Sequence, residues 1–280
     1  MDARLMIIAM PGLWMQMSTA AAASPVPSLP GYALAWHDEF DAKGGRQPSD
    51  PGKWDCETGT GAPELPGWGN DELQYYTGNV RNVFVEDGQL HIRAILADSE
   101  RPDRVGPTSG RLVSKPGLLP VYGHYEIRAQ LPCGRGSWPA IWMLGQRGEW
   151  PGRGEIDIAE WSGRYDGADE LRSALHAADF HGGGARTGKA AVSAACGDFH
   201  VYRLWWTASE LRVAVDGGFD DAHLVYRKPE DSTAANWPFS QPYQLILNVA
   251  VGGNLGGEVE ANEAGMFEML VDYVRVFRAE

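Results

Sequence analysis

His124-Tyr125-Glu126-Ile127-Arg128-Ala129-Gln130-Leu131 sets a polar residue and an apolar one in strict turn. A period of two marks a β-strand with one face in a core and the other toward water, because successive side chains on a pleated strand point to opposite sides. The same alternation runs through residues 89–94 (Gln-Leu-His-Ile-Arg-Ala) and 210–215 (Glu-Leu-Arg-Val-Ala-Val), the latter ending at Asp216-Gly217, a hairpin signal. Residues 243–251 are apolar and β-rich, as a central strand requires, and 269–277 read as a closing strand. No stretch keeps a 3.6-residue period between recognisable caps. Short strands separated by Gly, Pro and Asn predict an all-β sandwich of two antiparallel sheets. Residues 31–280 show neither a composition break nor an internal repeat, so one domain is expected there.

Composition narrows the partners. Lys and Arg number 24 against 37 Asp and Glu in 280 residues, a net charge of −13. Nucleic-acid binding needs clustered basic residues to displace counterions, so a polyanion partner is excluded. Hydrophobic residues at 44% and charged residues at 22% suit a packed core rather than a disordered chain. Three cysteines, Cys56, Cys133 and Cys196, are too few for a disulfide scaffold; they allow one bridge and one free thiol, with the pairing open. Eleven tryptophans exceed what a core demands, and pyranose C–H faces stack on indole rings.

At the N-terminus, an apolar run over 5–17, broken by Pro11-Gly12, precedes small residues and Ala21-Ala22-Ala23. That order reads as a secretory signal over 1–23, although Asp2 offsets Arg4 in its first segment. Residues 24–30 carry three prolines and read as a short linker. The apolar run is too short for a membrane anchor and no other is long enough, so a secreted or periplasmic chain with no membrane partner is expected. No oligomer contact is visible, and a monomer is expected.

The chemistry concentrates in Gly154-Glu155-Ile156-Asp157-Ile158-Ala159-Glu160-Trp161. In a regular strand Glu155 and Asp157 share a face and Glu160 points away. One extra residue near Ile158-Ala159, a β-bulge, returns Glu160 to that face. Three acids side by side raise at least one pKa, leaving one carboxylate ionised and another protonated. That division of labour is what glycoside hydrolysis needs; a carboxyl separation of about 5–5.5 Å suits retention and roughly 6.5–9.5 Å suits inversion. Spacing does not choose between them, and a solvated acidic face or a calcium site are the competing readings of the bare triad.

The flanking Trp138-Pro139-Ala140-Ile141-Trp142-Met143-Leu144 and Trp161 decide in favour of catalysis. Together with the bulged acid strand, Trp36-His37-Asp38-Glu39-Phe40 and the segment 271–277, they resemble glycoside hydrolase family 16, in its laminarinase-like endo-β-1,3-glucanase branch. The resemblance implies a concanavalin A-like jelly roll with a substrate cleft on its concave face. It implies Glu155 as nucleophile, Glu160 as general acid and base, and Asp157 as the group that tunes Glu155. By the same resemblance Trp138 is a sugar platform, and Asn70, Arg111, His176 and Asn254 are substrate contacts. Trp142 has two readings, cleft or core, and Trp161 is at least as well read as core. Leu255 stands where many relatives carry Trp, and Trp205-Trp206 where they commonly carry an acidic residue and one Trp. No catalytic cofactor is implied, but a structural calcium is, at Glu39, Gly88 (by its carbonyl) and Asp272. The expected function is an exported hydrolase of β-1,3-glucan. The alternatives are the same mechanism on mixed-linkage β-glucan or a marine galactan, transglycosylation, and a non-catalytic β-glucan recognition protein.

Overall fold

A computed structural model describes residues 26–42, 44–96, 106–165, 167, 169–260 and 265–280. The expected signal segment 1–23 and the start of the linker lie outside them. The described strands form two sheets, one of ten strands and one of seven, paired antiparallel except for a short parallel contact between Tyr75–Tyr76 and Thr108–Ser109.

The alternating segments behave as their pattern requires. Gln89–Ile95 alternates half-buried and buried residues along its length, and Gly123–Gln130 buries Tyr125, Ile127 and Ala129. Both lie in the ten-stranded sheet on either side of the closing strand Met266–Ala279, which begins three residues before the expected position. Tyr243–Val251 is a central strand of the seven-stranded sheet, as its apolar run implied. Asp216 does turn the chain, but the connection to Leu224–Arg227 is longer than a two-residue hairpin. Its carboxylate accepts from the Val201 amide and meets His200 Nδ1, which holds the start of the turn against the neighbouring strand.

The seven-stranded sheet runs in the order Arg186–Ala191, Glu170–His176, Glu155–Glu160, Ser137–Gly145, Tyr243–Val251, Arg111–Ser114, Trp54–Cys56. One face turns Ile141, Met143, Ile156, Leu175, Leu245 and Leu247 into the core between the sheets. Its other face carries the site. Helical structure among the described residues is limited to single turns, the longest of them Pro66–Gly69 and Gly253–Gly256, and no helix is long and apolar enough to cross a membrane. Cys133 pairs with Cys196 and Cys56 is free, which answers the pairing left open by the sequence.

Candidate active site

Strand register assembles the site. Against Ser137–Gly145, Asp157 pairs with Trp142 and Ala159 with Ile141, so Ile158 is the extra residue and the bulge falls where it was expected. Beyond it Glu160 pairs with Ala140 on one side and Arg172 on the other. Ala140 in turn pairs with Asn248, and Asn248 with Arg111. A row Arg172–Glu160–Ala140–Asn248–Arg111 therefore crosses five strands on one face. The neighbouring rows bring Asp157 beside Trp142 and Glu155 beside His176. Gly154 introduces the acid strand at φ +77, where a side chain would collide with the Tyr243 hydroxyl and Pro238, so only glycine brings the chain in at this angle.

Each acid has its own donor. Trp138 Nε1 donates to Glu160 Oε1 at 2.9 Å, and Trp150 Nε1 to Glu155 Oε2 at 2.9 Å. His176 Nε2 stands 3.0 Å from Asp157 Oδ2 and 3.9 Å from Glu155 Oε1. The Gly182 amide donates to His176 Nδ1 at 3.2 Å, so Nδ1 is the acceptor and the ring proton sits on Nε2, facing Asp157. Glu155, Asp157 and His176 bring ligand atoms within 4.8 Å of one another. With Nε2 as a donor, however, the trio is arranged to share protons, and a metal would have to displace that proton.

All three carboxyls are pushed upward. Burial, reinforced by the Asp157 charge, raises Glu155 to about 8. Burial and then Glu160 raise Asp157 well above the carboxylate range. Burial raises Glu160 to about 7, against the opposing pull of the Trp138 N–H. Asp157 has the least exposed side chain of the Glu155–Asp157–His176 group, 4% against 18% for Glu155, and its hydrogen bond with Glu155 raises Glu155 and lowers Asp157, so the two carboxyls share a proton. The three titrate as one interacting set, and with Glu155 raised further than Glu160 the form that carries catalysis, Glu155 ionised and Glu160 protonated, is one of the proton arrangements the cluster shares.

The remaining expected contacts surround this centre with distinct roles. Trp142 is on the cleft face, which resolves its two readings; its Nε1 donates to Asn248 Oδ1 at 2.7 Å. Asn248 continues to the Tyr76 hydroxyl, and Tyr76 to Glu72, which also takes Gln74 Nε2 at 2.6 Å and Asn70 Nδ2 at 3.3 Å. Asn70 thus reaches the site as a member of a side-chain network. Arg111 is buried, its guanidinium 4.4 Å from the Trp68 ring and 4.8 Å from the Trp142 ring, and it pairs with Glu57. It props two indoles in place. Asn254 is exposed and tied to the Asn70 loop through its amide, which donates to the Asn70 carbonyl at 2.9 Å. Trp161 is core, and Trp205 packs on His124 and Phe219. Sequence reasoning missed Trp150 and Trp68; both lie in Gly- and Pro-rich connections, where residue type is legible but the path of the loop is not.

The calcium set does not fit a cation as folded. Both Glu39 carboxylate oxygens accept from Arg275, at 3.0 and 2.7 Å, and Asp272 accepts from Arg128 at 2.7 Å. Each carboxylate already faces a guanidinium, which supplies the countercharge a cation would bring.

Comparison with known proteins agrees with this geometry. The glycosyl hydrolases family 16 profile matches residues 71–275. A beta-glucanase of Rhodothermus marinus is 41% identical over 264 residues, covering 89% of this chain and 86% of that protein. The X-ray structure of the Rhodothermus marinus laminarinase superposes with a TM-score of 0.76 at 41% identity, over 90% of this chain and 99% of the other. SCLam, a non-specific endo-β-1,3(4)-glucanase, superposes with a TM-score of 0.78 at 35% identity, over 92% and 95%.

Proposed function

The chain belongs to glycosyl hydrolases family 16 and is a glycosidase, and from that premise we propose that it cleaves internal β-1,3 linkages of a laminarin-type glucan with retention. The observation that carries the reading is the bulged strand, which gathers Glu155, Asp157 and Glu160 on one face and gives Glu155 and Glu160 separate indole donors. Glu155 attacks the anomeric carbon as Glu160 delivers its proton to the departing oxygen. Glu160, now ionised, takes a proton from water, which attacks the same carbon and releases Glu155. Asp157 shares a proton with Glu155 and so limits the charge density of the cluster. The Trp68–Arg111–Trp142 stack forms the sugar-binding surface beside the reacting bond.

Reducing-end release from laminarin, lichenan and agarose, with the anomer of the first product read by NMR, tests the proposal. Laminarin cleavage with β-anomer release is expected. Preferential cleavage of lichenan or agarose would reassign the polymer, longer oligosaccharides would reveal transfer to sugar, and binding without product would leave a recognition protein. Export follows the same reading: the apolar segment 5–17 with its small-residue boundary, and a disulfide between Cys133 and Cys196, suit an oxidising compartment. Fractionation of cells expressing the full chain, with N-terminal sequencing of the product, checks it.

A further inference from the structure

Trp150 stands in the connection 146–154, between the strand Ser137–Gly145 and the acid strand. That connection is pinned at its base. Gln241 donates to the Arg153 carbonyl at 2.9 Å and accepts from the Arg147 amide at 2.9 Å, and the Tyr243 hydroxyl donates to the Arg153 carbonyl at 3.2 Å. At the tip the Trp150 side chain remains 47% exposed, a poor position for an indole whose only purpose is stability. Its ring meets His181 edge-on at 5.5 Å and leans toward His176 at 6.2 Å, and these contacts aim its N–H at Glu155.

We infer that Trp150 is a positioning residue for the nucleophile: its indole N–H holds Oε2 of Glu155 and leaves Oε1 as the attacking oxygen. The inference rests on the glycosidase reading of the same site. The terminal torsion of a glutamate is broad and nearly two-fold, so nothing intrinsic to Glu155 chooses between its oxygens. Trp150, together with the Asp157 hydrogen bond, removes that degeneracy. As the Oε1 lone pair bonds to the anomeric carbon, the glycosidic bond breaks and its electron pair leaves with the oxygen that takes the Glu160 proton. Oε2 becomes the ester carbonyl and keeps the Trp150 hydrogen bond. In the second step water loses a proton to Glu160 and attacks the carbon, the Oε1 bond breaks, and its pair returns to Glu155. A neutral indole suits both steps, because it orients the carboxyl without adding the full countercharge that an arginine would impose.

Trp150→Phe keeps the ring and deletes the donor. On laminarin its kcat should fall about tenfold or more while KM stays within about twofold. The acid limb of kcat/KM should move to higher pH, since the Trp150 bond opposes the rise of Glu155. The groups facing Glu155 in that titration are Asp157 and Glu160 on its own strand, His176 on the adjacent one, and Tyr243. Thermal melting should be unchanged, because the ring is exposed. A Trp150→Phe enzyme with wild-type kcat and acid limb, beside a Trp150→Ala enzyme altered only in KM, would overturn the inference and make the ring a sugar platform. A substrate-free measurement separates this from the functional reading. The indole N–H resonance lost in Trp150→Phe should titrate with pH in the wild type and stop titrating in Glu155→Gln; a resonance insensitive to pH would also overturn it. Wild-type inactivity on every glycan would instead sink the glycosidase reading.

Discussion

Glu126 and Glu155 have nearly the same side-chain exposure, 16% and 18%, yet they are driven in opposite directions. Burial raises both. At Glu126, in the ten-stranded sheet, hydrogen bonds from His124 at 3.0 Å and Arg203 at 2.9 Å outweigh it and hold the carboxyl at about 2. At Glu155 the surrounding atoms bury the carboxyl more deeply, the Asp157 charge reinforces that burial, and the carboxyl rises to about 8. Burial pushes both carboxyls up, and the donors and charges around each decide whether that push prevails. One sheet neutralises its acids with cations and uses them as structure. On the acid strand of the other, neutral indole N–H groups take that place at Glu155 and Glu160, and the acids can change protonation at working pH.

Breaking the site side of this contrast should have the largest effects. Glu155→Gln should lower kcat on the order of 10⁴-fold or more, and Glu160→Gln about 10²- to 10⁴-fold, measured as reducing-end release from laminarin. Near-wild-type turnover in either variant would remove that residue from the mechanism. Trp138→Phe should cost about tenfold in kcat/KM, and should also move the alkaline limb to higher pH. The direction follows from the Trp138 N–H, which stabilises ionised Glu160; without it the acid keeps its proton further above about 7. An unmoved limb would show that the indole does not tune the acid.

The structural side responds in stability. Because Glu126 is depressed on folding, its contribution is fully present above the ordinary carboxylate range and is lost as pH falls toward about 2. Glu126→Gln should therefore lose about 2 kcal/mol in urea denaturation at pH 7, less at pH 4, with kcat unchanged. The catalytic cluster has the opposite sign. Its raised carboxyls favour the fold most below about pH 4.5, and that contribution disappears as pH rises through about 7 and 8. Glu155→Gln should thus melt higher than the wild type at pH 8, by about 1 kcal/mol, and gain less at pH 5. Equal gains at both pH values would contradict the charge repulsion inferred here.

Much of this was legible in one dimension. Period-two alternation placed Gln89–Ile95 and Gly123–Gln130 as half-buried strands because the pleat itself has that period. The spacing Glu155-x-Asp157-x-x-Glu160 demanded a bulge before any partner strand was known. The acid strand therefore announced both its geometry and its chemistry, and the motif around it announced the family. What remained beyond reach depends on contacts between distant segments. Arg111 props Trp68 and Trp142 only because three separate stretches of chain converge. The expected calcium acids meet arginines from other strands, Arg275 and Arg128. Cys133 finds Cys196 across 63 residues. Trp150 reaches Glu155 because the connection folds back over the strand it precedes. Local sequence determines which face of a strand a side chain occupies, since sterics fix that within a few residues; its hydrogen-bond partner and its protonation are set by packing between sheets and loops, which only the tertiary structure decides.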